Sequence, residues 1–539
     1  MALASRLSRR DALKLGVLGS ASLLLPLERR AFTASGPQGT RIAASKLPKP
    51  FTRPFAVPPV LQPIKRDETT DYYQLWQMEK PVEIIPGLQT PIYGYNGITP
   101  GPTIVAQRGR PAVVQQINSL PSQHRTLGYK PWTSTHLHGS ASLPEYDGYA
   151  SDVTQPGQWK NYHYPNIQDA RTLWYHDHGV HHTAENAYMG LAAMYILHDE
   201  AEQSLGLPRG AYDVPLILKD AMFATDGSLL FDNHSESGLY GDVNLVNGVP
   251  WPLMKVERRK YRFRVLNACI SRSFRLKLST GEPITIIGTD GGLMPAPQDV
   301  ANFRIGMAER YEIVIDFSKY AIGERVVLQN NSPPNNIDDV NTPKVMAFDV
   351  VAEPTSLDGN SVPSELNTNQ EVMGLTAANS VKRREMMFQR DPVDPTKPLG
   401  PGQWTIDGTT WEKVIESNYE YVLANPGYDD VEVWRLTNRS GGWFHPVHIH
   451  LVDFKVLSRN GGKPFAWEKG PKDVVYVGEN ESVDVVMRFT NQRGKYMIHC
   501  HNLVHEDHDM MGQFQVGPSS SEHHPVYADP ARDLPAPAL

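Results

Sequence analysis

The run from His499 to Met510 reads H-C-H-N-L-V-H-E-D-H-D-M, and its first three residues constrain the fold more than any other stretch. On a β-strand successive side chains point to opposite faces. His499 and His501 then face one way and Cys500 the other. A thiolate and two imidazoles so divided can serve two metal sites from one strand. Cys500, His505 and Met510 supply a soft thiolate, an imidazole and a weak thioether. That is the donor set of a blue-copper electron-transfer site, lacking only its second histidine.

Three further clusters offer the missing donors. His136 and His138 lie in S-T-H-L-H-G, His176 and His178 in L-W-Y-H-D-H, and His445, His448 and His450 in G-W-F-H-P-V-H-I-H. Each H-x-H pair puts two imidazoles on one face of an extended segment, roughly 6.5 Å apart along the strand, a spacing suited to neighbouring metals. Taken with His499, His501 and His505 of the first run, these clusters supply ten of the chain's 19 histidines. One such pair is ordinary; four, two near each end of the chain, are hard to explain without metal.

The rest of the sequence reads as an all-β protein. Short alternating runs such as Y-R-F-R-V-L, Y-E-I-V-I-D-F, V-E-V-W-R-L and S-V-D-V-V-M-R-F predict half-buried strands between turns. Long amphipathic helical patterns are scarce, and 42 Gly with 44 Pro supply the turns. The 539 residues correspond to about three or four domains by length. A formal net charge of −7 argues against nucleic acid as a partner. The chain has two cysteines. Cys269 reads as a small buried apolar residue, and since Cys500 is a candidate ligand, no disulfide is expected.

Along the chain, S-R-R-D-A-L-K from Ser8 to Lys14 followed by an apolar run from Leu15 to Leu27 has the layout of a twin-arginine export signal, assigned to residues 1–34 with the cleavage point open. It predicts a protein exported by that route and residing in the periplasm, at the cell surface or in the medium. The apolar run is shorter than the roughly 18 residues a membrane span needs, so no stable membrane insertion is expected. The expected division is a first β domain over 50–200, a second over 212–353 with no ligand cluster, a Pro-, Asn- and Ser-rich connector over 354–400, a third domain over 401–517, and a tail over 518–539 in which His523 and His524 read as a solvated pair. No repeat is visible in the sequence.

The four clusters in this order closely resemble multicopper oxidases, nearest to the bilirubin oxidase branch and the bacterial spore-coat laccases. Further matching stretches are G-P-T-I-V, A-R-T-L-W-Y-H-D-H, A-E-N-A-Y, S-R-S-F, M-A-E-R-Y-E, H-P-V-H-I-H-L-V-D-F-K-V and H-E-D-H-D-M-M, spanning residues 50 to 517. The resemblance implies three cupredoxin-like Greek-key β-sandwich or barrel domains and four copper ions. It implies His445, Cys500 and His505, with Met510 axial, at a type 1 copper, and His136 and His448 at a type 2 copper. His138, His176, His178, His450, His499 and His501 would hold a type 3 pair. The trinuclear ligands then come from the first and third domains, so the cluster should lie at their interface.

The same resemblance implies an enzyme that couples one-electron oxidation of phenols, aromatic amines or bilirubin-type tetrapyrroles to four-electron reduction of dioxygen to water. A monomer is expected, with electrons entering beside His505 at a shallow, partly apolar surface. Asp147 and Glu506 match acidic positions that supply protons. Asp147 also reads as a turn residue before Gly148, and Glu506 as a surface charge. Trp443, two residues before His445, reads either as a wall tuning the type 1 site or as core packing. Two other activities fit the resemblance less well. A cuprous or ferrous oxidase commonly carries a Met-rich insert, whereas the 16 methionines here are scattered. A non-redox structural relative would have lost ligands. The length and the histidine pattern exclude a two-domain copper nitrite reductase.

Overall fold

The computed structural model describes residues 39–232, 237–390, 403–518 and 520–539. The expected export signal over 1–34 lies outside them. The described chain is built from six sheets that pair face to face as three sandwiches.

In the first, a six-stranded sheet that includes Asp71–Val82, Ala112–Asn118 and Gln158–Tyr164 covers a four-stranded sheet of Ile104–Gln107, Ala192–His198, Arg171–Asp177 and Thr135–His138. The alternating burial of Asp71–Val82 marks its inward face. Tyr73, Leu75, Val114 and Tyr162 from one sheet meet Leu173, Tyr175, Ala193 and Tyr195 from the other in one apolar core. The second sandwich pairs a seven-stranded with a five-stranded sheet between Asp213 and Ala352, and the third a five-stranded with a four-stranded sheet between Lys382 and Val516.

The repeat that the sequence hides is plain in the topology. Each sandwich has a strand that pairs parallel with a later one: Asp71 opposite Ala112, Asp213 opposite Arg262, and Lys382 opposite Glu432. That later strand pairs antiparallel with the next strand across the sheet. This is Greek-key connectivity of the cupredoxin kind, so the all-β expectation holds.

Two stretches differ from expectation. Lys382–Arg390, inside the expected connector, is a strand of the third sandwich. Its sequence K-R-R-E-M-M-F-Q-R reads as a charged loop because only Met386 and Phe388 are buried. The tail folds back on the first sandwich: Arg532–Asp533 pairs with Gln158 and Trp159. His523 sits 2.8 Å from Glu145 and His524 stacks on Tyr527, so neither is simply solvated.

Four strands carry the histidine clusters: β1 (Thr135–His138), β2 (Arg171–Asp177), β3 (His445–Ile449) and β4 (Gly494–Cys500), with a short helix α1 (Leu503–Asp507) after β4. β1 pairs with β2, setting His136 opposite His176. β3 pairs with β4, setting His448 opposite His499. The first and third sandwiches meet along these pairs. The second closes the junction with a small apolar cluster of Trp174, Met194, Ile217, Leu266, Ala308 and Val474 from all three units. No helix among the described residues is long and apolar enough to cross a membrane.

Candidate metal centre

β4 separates its side chains as alternation requires. Cys500 enters the core of the third sandwich with Val447, Met510 and Phe514. His499 turns to the other side, and His501, one residue past the strand, stays with it at 5.4 Å between ring centroids.

On the Cys500 side, His445 Nδ1 lies 3.2 Å and His505 Nδ1 3.7 Å from Sγ, and the two Nδ1 atoms are 3.3 Å apart. α1 creates this convergence. Asn502 caps its first turn through Val504 N–H, and the helix returns His505 to Cys500. Asp509, at φ 83°, then reverses the chain so that Met510 N–H donates to the His505 carbonyl and the Met510 carbonyl accepts from Cys500 N–H. All four residues are fully buried. The Ser237 carbonyl accepts from His505 Nε2 at 3.0 Å, which leaves Nδ1 as the lone pair facing sulfur. Burial pushes the Cys500 thiol up, so a thiolate here needs a bound cation beside it.

Trp404 is the residue sequence reasoning missed. It stacks on His505 at 3.7 Å and meets the edges of His445 and Trp443 at 5.6 and 5.4 Å. Nothing in its setting, G-Q-W-T-I, signals a metal neighbourhood. Trp443 precedes β3 rather than sharing its face with His445, and it packs partly buried against the same core. His505 itself is buried beneath Trp404.

On the other side of β4, eight histidines converge. His136 stacks on His450 at 4.0 Å and His138 on His448 at 3.7 Å across the junction of the first and third sandwiches. His450 and His178 reach His499 with Nε2–Nε2 separations of 3.1 and 3.2 Å. His501 lies 5.1 Å from His176 and 5.2 Å from His138.

The protein fixes which nitrogen points inward. A carbonyl can only accept, so His136 Nδ1 donates to Asp147 O, His176 Nδ1 to Asp177 O, and His448 Nδ1 to Asp473 O. Each leaves Nε2 bare. His138 donates through Nε2 to Asp473 Oδ1 at 3.1 Å and leaves Nδ1 bare. The bare nitrogens of His136, His138, His176 and His448, and both of His501, are buried without a hydrogen-bond partner. Burial holds His176 and His178 down to about 3 and about 4 and His136, His138, His448, His450 and His501 well below the usual value. Neutral imidazoles whose lone pairs face one another in a dry cavity repel unless cations lie between them. The donor set therefore fits metal ions, and imidazole with thiolate suits copper.

Two carboxyl groups border the cluster. Asp147 follows the single-turn helix Pro144–Tyr146 and sets Oδ2 2.7 Å from His450 Nδ1. Gly148, at φ 74°, passes so close to the His136 backbone that a Cβ would lie 2.5 Å from it. The turn and the contact are thus one feature, and burial raises Asp147 well above the ordinary carboxylate range. Glu506, on α1, is buried rather than a surface charge. Its Oε2 lies 2.8 Å from His499 Nδ1 and its Oε1 3.6 Å from His178 Nδ1. Burial raises it, but those histidines outweigh burial and hold it below its usual value.

Three successive stretches, 78–202, 213–348 and 391–520, match the family described as multicopper oxidase. The chain belongs to the multicopper oxidase family. It is 40% identical over 553 residues to a bilirubin oxidase of Albifimbria verrucaria, covering 96% of this chain and 92% of that one. It is 32% identical to a laccase of Bacillus subtilis (strain 168), covering 86% and 98%. Among solved structures, a laccase from Pediococcus acidilactici aligns with a TM-score of 0.75 at 28% identity, over 88% of this chain and 95% of that chain. A multicopper oxidase from Aquifex aeolicus aligns at 0.74 and 27% identity, over 86% and 100%. As a multicopper oxidase, this protein is a copper-dependent oxidoreductase with dioxygen as acceptor, and it binds four copper ions.

Because the histidine cluster bridges two sandwiches, metal held there would add to folding stability. Chelating the copper is expected to lower the melting temperature. Mass action gives about 4 kcal/mol when free metal stands a thousandfold above its dissociation constant. Calorimetry of loaded and chelated protein measures this, and equal melting temperatures would contradict it.

Proposed function

We propose that His445, Cys500, His505 and Met510 would hold the type 1 copper; that His136 and His448 would hold the type 2 copper; and that His138, His176 and His501 on one side and His178, His450 and His499 on the other would hold the type 3 pair. The observation that carries this reading is the three consecutive residues His499, Cys500 and His501, which reach both buried donor clusters from one strand. The bound copper ions supply one-electron acceptance at the thiolate centre and dioxygen reduction at the histidine cluster.

Around those centres the chain's own groups do the rest. The peptide units joining Cys500 to His499 and His501 are the shortest covalent route between the clusters. Asp147 Oδ2 accepts from His450 Nδ1, which leaves Nε2 for the metal, Glu506 Oε2 lies 2.8 Å from His499 Nδ1, and both carboxyl groups exchange protons with the cavity without leaving their places. Trp404 and the Ser237 carbonyl fix the ring of His505, and the reducing substrate docks beside the half-buried Trp443 and Ser237, above that ring. That substrate is an aromatic one, a phenol, an aromatic amine or a bilirubin-type tetrapyrrole, in keeping with the names of the relatives.

Oxygen uptake measured side by side on bilirubin, a simple phenol and ferrous ion tests the substrate class. Turnover of the first two above ferrous ion is expected, and turnover of ferrous ion alone would overturn it. We further propose a monomer exported through a twin-arginine signal over 1–34. Replacing Arg9 and Arg10 together by lysine is expected to retain the protein in the cytoplasm. The domain ranges proposed are 50–200, 212–353 and 401–517, the last joined by its strand at 382–390.

A further inference from the structure

The middle sandwich contributes no residue to either donor cluster, yet one of its side chains ends beside them. Arg310 lies on the strand Arg310–Asp316 and is fully buried. Its NH1 and NH2 donate to Asp473 Oδ1 and Oδ2 at 2.7 and 2.6 Å. Asp473 belongs to the third sandwich, and its Oδ1 also accepts from His138 Nε2 of the first at 3.1 Å. Its carbonyl accepts from His448 Nδ1 at 2.8 Å. One aspartate thus orients two histidines of the cluster, and one arginine holds that aspartate.

The pair is anchored on every side. Arg310 Nε donates to the Thr172 carbonyl on β2 at 2.9 Å. Asp290 accepts from the N–H groups of Arg310, Asp473 and Val474, and Lys472 Nζ lies 2.9 Å from it. The glycine of H-L-H-G makes room: a Cβ on Gly139 would stand 2.8 Å from both Arg310 NH2 and Asp473 Oδ2.

We propose that Arg310 is a positioning residue for the histidine cluster: by clamping Asp473 it keeps the His138 proton on Nε2 and turns Nδ1 toward the metal. The planar guanidinium matches both carboxylate oxygens at once, which an ammonium cannot do. His138 Nδ1 is buried with no hydrogen-bond partner, as an inward ligand atom requires. The inference rests on the ligand assignment proposed above. It gives the ligand-free sandwich a task, that of setting the geometry of a cluster to which it lends no ligand.

Arg310→Lys keeps the charge and loses the fork. Asp473→Asn keeps the size and sets an amide donor against either Arg310 or His138. Each variant of the full chain is loaded with copper and dialysed against a chelator, and its copper content, blue absorbance and type 2 electron paramagnetic resonance are measured. Both variants are expected to keep the blue absorbance, to release histidine-cluster copper about 10–100-fold more readily, and to show an altered type 2 signal. If Arg310→Lys does not accumulate as folded protein, Asp473→Asn carries the same expectations. Lower stability of the metal-free protein with unchanged copper retention and an unchanged type 2 signal would overturn the proposal, leaving the pair a purely structural one. His138→Gln in the same assay separates the two readings. If it retains full copper, the ligand assignment fails. If it loses copper while Arg310→Lys and Asp473→Asn do not, only the positioning role fails.

Discussion

Replacing Cys500 by serine is expected to abolish the blue colour and bring oxidation of the reducing substrate to background, while the histidine cluster keeps its copper. The sulfur lies 3.2 and 3.7 Å from two Nδ1 atoms, and a serine hydroxyl is too hard a donor to replace a thiolate at a copper that cycles between oxidation states. The selectivity of the loss follows from β4. His499 faces away from Cys500, and its Nε2 meets His178 and His450, so its placement does not depend on the sulfur. Absorbance and copper content on one preparation check this. A variant that stays blue, or one that loses all of its copper, contradicts it.

Glu506→Gln is the second large effect. The carboxylate is buried between His499 and His178 and held ionised by them. An amide keeps the volume but cannot exchange protons. Loss of a positioned general acid or base is worth about 10²–10⁴-fold, and the fall should appear in dioxygen turnover, with the type 1 copper still reduced at the wild-type rate. Stopped-flow reduction of the blue band under anaerobic conditions, followed by mixing with dioxygen, separates the two steps. Equal slowing of both would place Glu506 elsewhere in the mechanism.

Metal-binding chemistry is written densely in this sequence. Thiolate, imidazole and thioether donors are few in kind, and strand alternation assigns them to faces, so the four clusters could be read directly. Asp147 and Glu506 needed the resemblance as well, since a D-G turn and an E-D-H-D run are common surface text. The carboxylate–guanidinium clamp of Arg310 and Asp473 was not legible: Arg310 lies in the matching stretch M-A-E-R-Y-E, but its partner is 163 residues away and no spacing links the two. Trp404 was missed for a related reason: an indole that stacks on a ligand carries no spacing signature. The strand at Lys382–Arg390 buries only Met386 and Phe388, too little alternation to stand out against its charges. The three-fold repeat of the topology is carried by strand pairing over long separations, and pairing leaves no repeated residues to find.

The measurement that bears most directly on the account is total copper per chain set against the number of spins detected by electron paramagnetic resonance in the oxidised protein. Four copper ions are expected, of which the type 1 and type 2 ions give separate signals and the coupled type 3 pair gives none. Four copper ions that all give signals, or a fully loaded protein with no blue component, would contradict it.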